Sequence, residues 1–253
     1  MSRAEGRAPH ALRPLKITRG AFRQAEGSAL VEMGRTKVIC SATIEDRVPG
    51  FLRGKGGGWV TAEYAMLPRS SNERISRDHV RGGRALEISR LIGRSLRAIT
   101  NLAAFGERTL LIDCDVIEAD GGTRTAAVNG AFVALHDAFF VLANRGALVA
   151  PPFLDTVGAV SVGRVGGELL LDLDYPEDAN AEVDLNVVMT GSGGFIEVQG
   201  TGERGTFSRA ELAKLLALAA RGLKAVQRAQ RKALGGEIAF LAPDGAPPAT
   251  VRA

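Results

Sequence analysis

Two short stretches of this 253-residue sequence place a glycine pair before an arginine: Gly82-Gly83-Arg84 and Gly121-Gly122-Thr123-Arg124. Glycines let backbone N–H groups turn toward a bound anion, and a helix start adds partial positive charge. Thr123 supplies a hydroxyl donor and Arg124 a two-pronged guanidinium, so the second stretch predicts a phosphate cradle. The competing reading is an ordinary strand-to-helix turn with Thr123 as N-cap. Helical projection places Arg84 near the apolar side of its helix; an arginine there needs an anionic partner, either a protein carboxylate or a ligand phosphate.

A third stretch is acidic and contains Asp172, Asp174, Asp178 and Asp184. Carboxylates gathered at a strand end suit Mg²⁺, and one with a raised pKa could act as a general acid. A solvated acidic hairpin would use the same residue types. A fourth stretch, residues 68–81, has Arg69, Arg74, Arg77 and Arg81 in a loop that could follow a phosphodiester backbone. It lacks interleaved aromatics, which argues against base stacking by this loop.

The elements that must hold these residues read as follows. Residues 28–44 form two strands about a turn at Gly34-Arg35, and a glycine-rich loop, 50–58, leads to a short strand at 59–66. A helix spans about 84–100, with Ile88, Leu91, Ile92, Ser95 and Ile99 on one stripe and Arg90, Arg94 and Arg97 opposite. Residues 109–117 form a strand with Leu110, Ile112, Cys114 and Val116 on one face, before a helix at about 125–142 rich in small residues. After a linker at 144–152 come strands near 159–164, 168–175, 183–190 and 194–199. A long helix then opens at Ser208, with Glu211 completing a capping-box pattern. Each half is thus strands followed by helix, which predicts a two-layer α/β or α+β fold of two related units. The boundaries are about 13–143 and 154–240 within one domain, with 241–253 as a flexible tail.

Composition narrows the class. Hydrophobic residues are 45% and charged residues 24% of the chain, enough apolar side chain for a core and too much for a disordered chain. The net charge is only +4, yet the window 69–97 holds eight Arg against three acids, a local field suited to a polyanion. Two cysteines inside apolar runs, Cys40 and Cys114, suit buried thiols in a reducing cytoplasm. No run of 18 apolar residues suggests a membrane span, and the N-terminus lacks the apolar core of a secretory signal, so a soluble cytoplasmic protein is expected. His10, His79 and His136 have no partners at zinc-ligand spacing. Neither a Walker loop nor a Gly-x-Ser-x-Gly elbow occurs.

Taken together, these stretches are familiar. Residues 25–40, 58–69, 111–126, 184–190 and 196–201, in that order, resemble the bacterial ribonuclease PH family. The resemblance implies a ribonuclease PH-like fold of tandem pseudo-symmetric βαβα-type repeats and a homohexameric ring built as a trimer of dimers. It also implies a phosphate-dependent 3′-to-5′ exoribonuclease, a tRNA nucleotidyltransferase, that trims tRNA precursors. By similarity Arg84, Gly122, Thr123 and Arg124 would hold inorganic phosphate as co-substrate. Asp178 and Asp184 would bind Mg²⁺ or another divalent metal or assist the leaving group, and Arg69, Arg74 and Arg77 would guide RNA. The loop between Arg77 and Gly82 is a few residues shorter than is usual in that family. Two other readings are a catalytically silent, RNA-guiding subunit of an exosome-like ring and a small-molecule kinase; no kinase signature is present.

Overall fold

The computed structural model describes residues 3, 6–78, 82–236 and 238; His79, Arg81 and the expected tail at 241–253 lie outside them. Among the described residues, nine strands and four α-helices follow in the order β1 (Leu15–Arg19), β2 (Gly27–Met33), β3 (Thr36–Glu45), β4 (Trp59–Met66), α1 (Gly83–Ala98), β5 (Thr109–Glu118) and α2 (Thr123–Asn144). The second half holds β6 (Val157–Val165), β7 (Glu168–Leu171), α3 (Tyr175–Ala179), β8 (Val183–Thr190), β9 (Phe195–Thr201) and α4 (Arg209–Ala233). One sheet runs β1-β2-β3-β5-β4, antiparallel except for the parallel β4–β5 pair, and the other runs β7-β6-β8-β9, antiparallel throughout.

Alternation explains how the layers stack. In the first sheet Val31, Val38, Cys40, Val60, Ala62, Ile112 and Val116 point inward and are buried, while their neighbours in sequence are partly exposed. These residues pack against α1 and α2 as one core. In the second sheet Val160, Val162, Leu185 and Val187 face α4 and bury against Leu215, Ala219, Leu223 and Val226. The opposite face of that sheet offers Ala159 and Val188 to the α2 side. Each half is therefore a sheet with a helix layer, and the two halves stack with α1 and α2 between the sheets.

The small residues of α2 have a packing reason. A Cβ at Gly130 would lie 2.6 Å from a Val31 methyl and 2.7 Å from Cys40 Sγ, so the helix sits directly on the sheet. α2 is long and apolar enough to cross a membrane, yet it is mostly buried between the two sheets. Cys40 and Cys114 are free, buried and paired in register across β3 and β5.

Several expectations shift. β1, at Leu15–Arg19, precedes the first strand expected from the sequence. The strand expected at 168–175 stops at Leu171, because Asp172 adopts φ 57° and Asp174 caps α3 through a capping box with Glu177. Arg97 does not face solvent with Arg90 and Arg94. Its guanidinium lies 4.4 Å from the Trp59 ring centroid and donates to the Val60 carbonyl at 2.8 Å.

Candidate active site

The N-termini of α1 and α2, the C-terminal ends of β4 and β5, and the polar face of the second sheet enclose a cavity of about 1030 Å³. It is lined by Arg84, Gly122, Thr123, Arg124, Asp178 and Asp184, so the two glycine-arginine turns and the two aspartates open onto one space.

The cradle itself is built from backbone. Gly121 and Gly122 have φ 73° and 66°, and Gly122 is the N-cap of α2, so Thr123 is the first helical residue and not the cap. At Gly121 a Cβ would meet the Leu173 carbonyl oxygen at 2.5 Å and Asp174 backbone at 2.7 Å, which only glycine allows. With its side chain freed from capping, Thr123 accepts a hydrogen bond from the Tyr64 hydroxyl at 2.9 Å. Tyr64 is buried, and that burial raises its pKa against the opposing hydrogen bond to Thr123 and the charges of Arg84 and Arg124. The phenol thus stays a donor, leaving the Thr123 proton free to be offered elsewhere.

Arg124 reaches across the cavity. Its Nη1 donates to Gln199 Oε1 at 2.7 Å and to Glu87 Oε1 at 3.2 Å, and Gln199 Nε2 donates to the same Glu87 oxygen at 3.2 Å. This network joins α1, α2 and β9. Arg84 sits in the first turn of α1 and is exposed at the cavity rim, not tucked toward the core as the projection suggested. A first-turn residue extends past the end of the sheet that the rest of the helix covers.

The carboxylates are less well answered. Burial raises the Asp178 pKa, Glu203 adds to the rise, and Arg84, Arg124 and Arg13 oppose it. Asp184 is also raised, by burial first and then by the charges of Asp178 and Glu203, against Arg124. Asp184 Oδ1 is buried without a hydrogen-bond partner. A buried acceptor beside a like charge suits a divalent cation, which Asp178 and Asp184 would hold, although they form no cluster of three or more ligating side chains among the described residues.

Asp172 and Asp174 belong elsewhere. Asp172 is fully buried and takes the Arg13 backbone N–H at 2.7 Å and guanidinium bonds at 3.0 and 2.6 Å. Arg13 also donates to the carbonyls of Asp120 and Gly121, so this pair holds the glycine turn from behind. Arg69, Arg74 and Arg77 are exposed on the loop whose Ser71 and Ile75 line the cavity, and none of the three makes an ion pair among the described residues.

The sequence reading missed Tyr64, Glu87, Gln199 and Arg13. Tyr64 carried one available signal, since strand alternation puts it on the inward face with Val60 and Ala62. Glu87 lies one turn beyond Arg84 on α1. Nothing local marks Gln199 or Arg13.

Comparison with known proteins places this geometry. Residues 11–140 match the 3′ exoribonuclease family, domain 1, and residues 155–222 match its domain 2. Among solved structures, a chain of the Archaeoglobus fulgidus exosome with RNA bound to the active site superposes with TM-score 0.75 at 20% identity, covering 90% of this chain and 92% of the other. Rice (Oryza sativa) Rrp46 gives TM-score 0.71 at 21% identity, covering 92% and 98%. A chain of an archaeal exosome core gives 0.71 at 19% identity, covering 92% and 91%.

Proposed function

This chain belongs to the 3′ exoribonuclease family, and from that premise we propose that it is a ribonuclease PH of the bacterial type. It is a phosphate-dependent 3′-to-5′ exoribonuclease that trims 3′ extensions of tRNA precursors and releases nucleoside diphosphates. The observation that carries this reading is the shared cavity: Arg84, Gly122, Thr123 and Arg124 line it together with Asp178 and Asp184.

Inorganic phosphate would sit on the glycine turn, held by the Thr123 hydroxyl and the guanidinium groups of Arg84 and Arg124. Its entry requires Arg124 to exchange part of its bonding to Glu87 and Gln199 for the ligand. A phosphate oxygen then attacks the last phosphodiester in line. The P–O3′ bond breaks, the 3′ oxygen of the shortened RNA takes a proton, and a nucleoside 5′-diphosphate leaves. With no metal bound, Asp178 and Asp184, both raised in pKa, are placed to hold and pass that proton. In their ionised forms the same two aspartates would instead hold Mg²⁺ or another divalent metal, which would supply positive charge against the transferring group and the leaving oxygen. One phosphate ester bond replaces another, so the step runs in both directions. Arg69, Arg74 and Arg77 would guide the RNA strand toward the cavity. The working form would be a hexameric ring in the cytoplasm, a compartment consistent with two free, buried cysteines.

A second reading, a catalytically inactive RNA-guiding subunit of an exosome-like ring, shares the fold likeness to chains from exosome structures. One assay separates the two. A tRNA carrying extra 3′ nucleotides is expected to release nucleoside diphosphates only when phosphate and Mg²⁺ are both supplied. Binding without release points to the silent subunit, and monophosphates released without phosphate reject phosphorolysis.

A further inference from the structure

The most concentrated charge in the described residues lies away from the cavity, on the outermost layer. α4 holds seven Lys or Arg against one acid, a net +6 that exceeds the +4 of the whole chain. Its only acid, Glu211, is taken by Arg164 and by the Ser208 backbone N–H. Lys214, Arg221, Lys224, Arg228 and Arg231 are exposed, and none makes an ion pair among the described residues.

Their spacing makes a ridge. At 100° per residue these five fall within roughly a 100° arc, centred opposite Leu215, Ala219, Leu223 and Val226, which are buried against the second sheet. At 1.5 Å per residue the ridge runs about 25 Å from Lys214 to Arg231. That length matches about seven phosphates along one strand of a duplex at ~3.4 Å each.

We propose that the cationic ridge of α4 binds the phosphodiester backbone of a structured RNA, gripping the folded body of the substrate whose 3′ end enters the cavity. The identity of that RNA as substrate rests on the phosphorolytic reading above; the ridge itself does not. A lipid surface is a poorer fit, because the apolar stripe that would insert into a bilayer is already spent on the second sheet. A protein partner is also a poorer fit. The exposed face of α4 offers only Ala213 and Ala217 between its charges, without the aromatic anchors that dominate protein interfaces.

The test replaces Lys214, Arg221, Lys224, Arg228 and Arg231 with Gln together, a change confined to exposed positions and kind to the helix. Circular dichroism checks folding, and a second variant with Arg221, Arg228 and Arg231 changed to Lys keeps the charge. Binding is measured without phosphate to an RNA hairpin with a single-stranded 3′ extension, to the extension alone, and to phosphatidylserine vesicles. The Gln variant should bind the hairpin at least about tenfold more weakly. It should also lower the slope of log Kd against log salt by about two to four, at roughly 0.7–0.9 for each phosphate no longer neutralised. Binding and turnover of the short extension should stay within about twofold, and the Lys variant should resemble wild type. Unchanged hairpin affinity and slope in the Gln variant overturns the proposal, as does a loss confined to vesicle binding. If the ridge variant loses hairpin binding while the wild-type protein releases no nucleoside diphosphate, the phosphorolytic reading fails and the ridge stands.

Discussion

Glu177 and Asp178 are consecutive residues of α3 and belong to two clusters of opposite character. Glu177 joins Asp172 and Asp174 in a buried set with Arg3, Arg7 and Arg13, where each carboxylate has an arginine within 4 Å. Burial pushes Glu177 up, but hydrogen bonds from Arg3 and the Asp174 backbone, with the charges of Arg3 and Arg7, bring it below the usual range. Asp178 faces the cavity with Asp184, and both are held above the usual range. The same residue types are thus saturated on one side of a single helical turn and unsatisfied on the other. A closed cluster has spent its charge on the fold; an open one keeps charge for a ligand.

The sharpest way to break this contrast is to remove one carboxylate from each cluster. Asp172→Ala leaves Arg13 buried without its counter-charge, while Arg7 keeps Glu177 at 3.0 Å, a loss of about 3–5 kcal/mol that urea unfolding would register. Asp184→Asn removes a repelled charge, so its unfolding midpoint should match or exceed that of wild type, while turnover falls by about 10²–10³-fold. Should Asp184→Asn unfold as readily as Asp172→Ala, the two clusters would be doing the same work and the distinction would collapse.

That contrast also marks where the sequence stops being legible. The helix stripe from Ile88 to Ile99, the turn at Gly34-Arg35, the strand at 59–66 and the Ser208–Glu211 cap are local patterns, and the structure reproduces them. That the two glycine-arginine turns share one space with Asp178 and Asp184 was implied by the family resemblance and not by any one motif, since each motif also fits an ordinary turn or a solvated hairpin. The closed cluster was not legible. Arg13 and Asp172 are 159 positions apart, and Asp172 takes φ 57° in a segment whose alternation reads as strand. Helical projection gave the direction of Arg84 but not its depth, since a wheel has no end and a helix does.

The smallest effect expected from the cavity is also the most specific. The Tyr64 hydroxyl touches Thr123 at 2.9 Å while its ring is packed in the core, so Tyr64→Phe deletes one hydrogen bond and keeps the packing. Without it, the Thr123 hydroxyl can turn its proton back toward the protein and present a lone pair to the cavity. Under the phosphorolytic reading this should raise the KM for phosphate about five- to tenfold, the worth of one hydrogen bond near 1–1.4 kcal/mol. The KM for RNA and kcat at saturating phosphate should change little, because Tyr64 acts only through the phosphate cradle. Burial lifts the phenol above its ordinary pKa, so the variant-to-wild-type ratio should hold constant from about pH 6 to about pH 9. A ratio that shrinks toward pH 9 would mean that the phenol ionises within that range. A shift in the KM for RNA, with phosphate untouched, would move Tyr64 out of the cradle and into the path of the strand.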